Sequence, residues 1–205
     1  MKRRFFNSDT EIWRFFGWVG DIVILSLLWV VFSLPLVTVG AASTALYDTA
    51  VRVVRRKTDS LFGRFWKTFR REWKTATITT LFWAVIVAVP ITLYILAVRS
   101  APEGQPLQLQ SVLFLLVLFL LMSILSWVFP LLSRFTFTFA SLQGIAVRLA
   151  LGQILRSVSM TVLIGLGIWA CSHQVFSIFF VPGLIAWLST FLIEPVFQSY
   201  ENPPA

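Results

Sequence analysis

Apolar residues in this chain come in long runs, not in the alternation of a half-buried strand. Five runs meet or approach the roughly 20 mostly apolar residues that a helix needs to cross hydrocarbon. They cover residues 18–39, 75–98, 111–132, 155–172 and 175–193. The core of the fourth, 157–172, is short, and residues before Ser157 extend it. A further stretch, 41–56, is rich in small residues (Ala41, Ala42, Ser43, Thr44, Ala45, Thr49, Ala50), which suit close helix packing in a membrane. It is either a sixth, short span or a helix on the inner surface. Pro35 and Gly40 would shape the turn that leads into it. The expected fold is all-α: a polytopic transmembrane helix bundle of five to six spans, forming one integral membrane domain over residues 1–205.

Residues 61–74 have a different pattern. Leu61, Phe62, Phe65, Trp66, Phe69 and Trp73 share one helical face, and Arg64, Lys67, Arg71 and Lys74 share another. Aromatic residues opposite Lys and Arg describe a basic amphipathic helix lying in the membrane interface. Because the 75–98 run follows at once, helix and span are expected to form an L. This face is the candidate surface for anionic lipid or for a partner. Each Lys or Arg near such a surface contributes about 1 kcal/mol.

Charge orients the spans, because Lys and Arg concentrate in cytoplasmic loops. Between Val39 and Thr75 lie Arg52, Arg55, Arg56, Lys57, Arg64, Lys67, Arg70, Arg71 and Lys74, against Asp48, Asp59 and Glu72. That stretch is placed inside. The loop 99–110, with Arg99 and Glu103, falls outside. The stretch 133–156, with Arg134, Arg148 and Arg156 and no acid, falls inside. The turn at His173 and Gln174 is then outside and the C-terminal tail is cytoplasmic. Lys2, Arg3 and Arg4 lie inside only if 41–56 spans, which favours six crossings. Asp9, Glu11 and Arg14 interrupt this basic start, so the first apolar run is expected to be a retained helix and not a cleaved signal. A short likeness between Phe32–Val37 and Trp127–Leu132 hints at an internal repeat and pulls towards five spans.

Composition sharpens the class. Of 205 residues 58% are hydrophobic and 13% charged, with a mean hydropathy of +0.83. A soluble domain carries about 25% charged residues. The net charge of +8 sits beside the apolar runs, which is not how a nucleic-acid-binding face is laid out. Nucleic acid is therefore not an expected partner. The single cysteine, Cys171, excludes an internal disulfide.

Candidate chemistry is thin. Cys171 and the only histidine, His173, are too few ligands for a closed zinc site. No glycine-rich phosphate loop is present. The chain is expected to be no enzyme and to carry no cofactor. Ionisable residues in or beside the runs are the remaining candidates, since burying charge in hydrocarbon is costly. They are Asp21 at the entry of the first run, Asp48, and Arg134. If 41–56 spans, Asp48 is buried and must pair, with an arginine such as Arg134 or Arg148; if it lies on the surface, Asp48 faces water or a lipid headgroup. Glu194, beside Pro195, reads as a helix-end residue.

From Gly20 to Lys74 the chain resembles the YesL family of bacterial integral membrane proteins. The residues that carry the likeness are Leu27-Leu28-Trp29, the run from Ser33 to Ala41, Thr44-Ala45-Leu46-Tyr47, Val53-Val54-Arg55, and the Phe62, Phe65, Trp66, Phe69 pattern. Further on, the run from Val128 to Phe135 fits, as does Glu194-Pro195-Val196-Phe197 with Tyr200. The likeness covers nearly the whole chain. One departure is Ser26, where the family typically shows Asn, which puts a bond across helices at that position in doubt. The resemblance implies genomic context more than mechanism. Such proteins are often encoded beside carbohydrate ABC importers and polysaccharide-utilisation enzymes.

These readings converge on a non-catalytic protein of the bacterial cytoplasmic membrane, an accessory or assembly subunit of a carbohydrate ABC importer. Its expected partners are membrane lipid, an importer permease or ATPase, or further copies of itself. A permease proper is not expected, because no Glu-Ala-Ala coupling loop is found. The alternative is an autonomous transporter or channel for a small solute or lipid. Its polar path would be lined by Asp21, Asp48, Arg134 and Gln143.

Overall fold

A computed structural model describes residues 7–55, 60–100, 109–135 and 137–201. Lys2, Arg3 and Arg4, the pair Arg56 and Lys57, and the loop around Glu103 fall outside them. Among the described residues the regular structure is helical throughout. The helices are α1 (Asn7–Ser33), α2 (Val39–Thr49), α3 (Leu61–Arg99), α4 (Leu109–Arg134), α5 (Phe139–Gly152), α6 (Ile154–His173) and α7 (Val181–Glu201). Five carry a segment long and apolar enough to cross a membrane: Phe15–Ser33, Leu61–Arg99, Ser111–Arg134, Ile154–His173 and Val181–Tyr200. Their outward faces are aliphatic, as at Val85, Val89, Leu113, Leu116, Leu166 and Ile168, all exposed. Apolar exposure on this scale on spanning helices suits lipid as the solvent. The chain is a multi-pass membrane protein.

The sequence boundaries shift where prolines act. Pro35 follows the end of α1 at Ser33, and a tight turn over Leu36–Thr38 carries the chain into α2. The Thr38 hydroxyl donates to the carbonyls of Phe32 (2.6 Å) and Pro35 (2.7 Å), closing the turn. Pro130, by contrast, lies inside α4 and Pro195 inside α7. The two stretches that look alike in sequence therefore do different things, one ending a helix and one running within it. The last span starts at Val181, after a turn at Val175–Phe179, and passes through Glu194. The stretch 133–156, expected as a cytoplasmic loop, contains the apolar helix α5.

Residues 39–55 are helical from end to end. α2 runs without a break into a wider π-type turn, Ala50–Arg55. This segment is not among the five long apolar helices, and it is buried within the protein. Ala41, Ala42, Ala45 and Ala50 are wholly buried. Gly40 explains how it fits. A side chain there would overlap the Thr80 hydroxyl and the Phe129 ring, so the missing Cβ lets α2 approach α3 and α4 closely.

α3 is one continuous helix of 39 residues with no break before Thr75, and Pro90 lies inside it. At 1.5 Å per residue it is about 58 Å long, well beyond a hydrocarbon core of about 30 Å. Its buried stripe is Phe65, Thr68, Glu72, Ala76, Thr79 and Trp83, at helical spacings of three and four. Small and polar residues thus face the protein, while Phe62, Trp66 and Trp73 face outward.

Candidate functional site

Asp48, near the end of α2, is 3% exposed. α2 and α3 run in opposite senses, which brings Gly40 against Thr80 and Asp48 against the first turns of α3. Arg64 meets the carboxylate with two nitrogens, at 2.5 and 3.1 Å. The Thr68 hydroxyl, one turn further on, donates at 2.6 Å. Arg52, one turn along from Asp48, donates at 2.9 Å. Burial pushes the Asp48 carboxyl up, but the bonds from Arg64, Thr68 and Arg52 and the Arg64 charge outweigh it and hold it below its ordinary value. The partners expected from sequence, Arg134 and Arg148, are not used. Arg148 is exposed on α5.

Arg134 at the end of α4 pairs instead with Glu194 on α7. Glu194 is 1% exposed and lies within its helix, so it is a buried ion-pair member and not a helix-end residue. Arg71 holds Glu72 at 2.5 Å and donates to the Ser133 carbonyl of α4 at 3.2 Å. Arg55 donates to the Thr190 carbonyl of α7 at 3.0 Å and stands 4.8 Å over the Phe191 ring. Arg55, Arg64, Arg71 and Arg134 each fasten one helical segment to another or brace a buried acid. These four arginines therefore help to hold the bundle together.

This reorders the basic aromatic face. Of its expected members, Arg64 points inward. Phe65 is wholly buried, and Phe65, Trp66 and Phe69 gather around Phe32 of α1 with ring centres 5.0–5.7 Å away. Phe62, Trp66, Lys67, Trp73 and Lys74 remain exposed, joined by Arg70, which the facial pattern had passed over. Arg71 is half exposed while engaged with Glu72.

The residues offered for a polar path do not meet. Asp21 is half-buried on α1. The Gln143 carbonyl oxygen accepts from the Trp83 indole at 2.9 Å. Asp48 and Arg134 are held as described. Sequence reasoning did not locate a partly open cavity of about 460 Å³ lined by α1, α2, α4, α6, α7 and the turn Val175–Phe179. None of the four polar candidates lines it, and none of its lining residues is charged. Cys171 and His173 form no metal-ligand cluster with other groups among the described residues.

Ser26 is wholly buried and bonds across helices despite the missing amide. Its hydroxyl donates to Ile22 within α1, accepts from the Gly183 N–H of α7 at 2.9 Å, and stands 3.2 Å from the Phe180 carbonyl. A side chain at Gly183 would overlap the Ile22 carbonyl and this hydroxyl. The pair is thus a close helix contact.

Comparison with known proteins finds similarity without a function. Residues 22–93 match a family model described as "Protein of unknown function, DUF624". The chain is 26% identical over 194 residues to the uncharacterized protein YesL of Bacillus subtilis (strain 168), covering 92% of this chain and 90% of that relative. No solved structure matches.

Proposed function

For this chain, which belongs to the YesL family of membrane proteins of unknown function, we propose a non-catalytic role in the bacterial cytoplasmic membrane, as an accessory or assembly subunit of a carbohydrate ABC importer. The observation that carries the reading is the outward face at the start of α3. Phe62, Trp66 and Trp73 are 43–59% exposed there, interleaved with Lys67, Arg70 and Lys74. Arginine and aromatic side chains are the groups that dominate protein interfaces. With the N-terminal turns of α3 and the C-terminal tail on the cytoplasmic side, as the positive cluster favours, this face would meet the cytoplasmic parts of a permease or its ATPase. The family's genomic context supplies the carbohydrate importer.

The alternative, an autonomous transporter, has less support. Asp48, Arg134 and Gln143 are engaged in internal contacts, and the cavity between the helices is apolar.

The test is purification from native membrane into lipid discs after mild amine cross-linking, with mass spectrometry of what travels along. An importer permease or ATPase in stoichiometric amount, cross-linked through Lys67 or Lys74, is the expected result. The variant to compare is Phe62→Ala/Trp66→Ala/Trp73→Ala. Phe65 and Phe69 are left alone because they are the more buried of the rings around Phe32, whereas Trp66, which also meets Phe32, is 43% exposed. Unchanged co-purification by the triple variant, or a homo-oligomer with no importer subunit, sinks the proposal.

A further inference from the structure

The cavity of about 460 Å³ is a separate feature from the α3 face. Four of the five helices around it, α1, α4, α6 and α7, supply candidate membrane spans, so it opens among segments built for hydrocarbon. Its walls include Trp29, Leu125, Phe129, Ile164 and Ile185. The serine hydroxyls on its wall are already engaged. Ser43 accepts from the Trp29 indole, Ser126 donates to the Ser123 carbonyl, and Ser189 donates to the Ala186 carbonyl. A polar solute would have to give up water here and gain little, a cost of several kcal/mol per unmet group by transfer to hydrocarbon. An apolar chain meets no such cost, and apolar walls of this kind favour apolar guests.

A further detail favours a flexible guest. Both internal methionines, Met122 and Met160, line the cavity. Methionine has three rotatable bonds and a polarisable sulfur, and it adapts to irregular apolar shapes. Gly167 also lines it, and there the Ile185 side chain of α7 fills the place of the missing side chain, so α6 and α7 pack closely at that wall. The volume lies within the range of small-ligand sites, about 300–1,000 Å³.

We propose that this cavity is a binding site for the hydrocarbon chain of a membrane lipid, taken up between α4, α6 and α7. The guest is either an acyl chain or an isoprenoid chain, which share the chemistry that the walls recognise. The proposal does not depend on an importer partner.

The test uses the full chain in lipid discs and two photoactivatable probes, a diacyl phospholipid with a diazirine on one tail and a polyprenyl phosphate with a diazirine on its chain. After irradiation, peptide mapping locates the labelled residues. The expected result is labelling by one probe at cavity residues such as Met122, Met160 and Ile164, and the probe that labels names the chain. Two variants fill the space from different walls, Ala186→Phe and Ser126→Phe. Each should lower cavity labelling at least about tenfold, with labelling of outward residues such as Leu113 and Leu116 unchanged. Having two variants keeps the test decisive if one fails to fold. Labelling confined to outward residues with both probes overturns the proposal. So does cavity labelling that a folded filling variant leaves unchanged, or a cross-link showing the space filled by a side chain of a second copy.

Discussion

Asp48 and Arg64 are joined at 2.5 Å across the α2–α3 interface, with side chains 3% and 12% exposed. The pair lies under the very segment whose charges look, in sequence, as if they faced outward. Replacing one member of a buried pair leaves the other charge without its counterpart, at a cost of about 3–5 kcal/mol. Asp48→Ala should therefore lower thermal stability in detergent sharply. Arg64→Ala should cost less, because Arg52 and Thr68 still serve the carboxylate. A double-mutant cycle measures the coupling, and additive losses would show that the pair is not energetically linked.

The same carboxylate sets an acid limit. Its folded pKa is lowered from the ordinary value of 3.8. Such a group contributes stability that is fully present above that value and is lost as pH falls through the lower folded value. The apparent melting temperature should keep this contribution through neutral and mildly acid pH and lose it below about pH 4. Asp48→Asn should flatten that final drop relative to wild type. Parallel curves for the two proteins would overturn the assignment.

Arg134 and Glu194 tie α4 to α7 and are both largely buried. Arg134→Met alone strands Glu194 and should destabilise by about 3–5 kcal/mol, whereas Arg134→Met with Glu194→Leu should recover most of it. Thermal denaturation of the three proteins decides. If the double variant is as weak as the worse single one, the pair has a role besides neutralising its own charge.

Gly40 offers a steric test. Gly40→Ala should cost about 1–3 kcal/mol by overpacking against Thr80 and Phe129. Adding Thr80→Ala removes one of the two obstacles and should restore part of the loss. A Gly40→Ala protein as stable as wild type would mean that α2 has room to move away from α3.

Much of the fold was legible from run length alone, because lipid demands about 20 apolar residues whatever the fold. The packing role of Ala41, Ala42 and Ala45 was legible too, since small residues mark helix contacts in membranes. α3 was harder. Its aromatic residues were expected to share one face lying in the membrane interface, yet Phe65 is buried while Phe62, Trp66 and Trp73 face outward. The buried stripe is instead Thr68, Glu72, Ala76 and Thr79, with Phe65 and Trp83 as the large exceptions. Beside lipid an aromatic side chain gains little by turning inward, so hydrophobicity loses its power to say which face is inside. The expected bend before Thr75 had no glycine or proline to make it. The Asp48 partner was hidden by surplus, since many nearby arginines carried the right charge and only the opposed run of α2 and α3 selects Arg64. The cavity left no mark in the sequence, because its walls come from several separated segments.

The order of synthesis gives the Asp48 network another consequence. α2 leaves the ribosome carrying Asp48 and Arg52, while the groups that complete the network, Arg64 and Thr68, follow 16 and 20 residues later. Until they arrive, α2 has no settled place, and α1 waits with one flank uncovered. The first three helices are therefore expected to settle together, only after α3 has emerged. A nascent chain stalled before α3 would display a charged, alanine-rich helix that cellular quality control can recognise as unfinished.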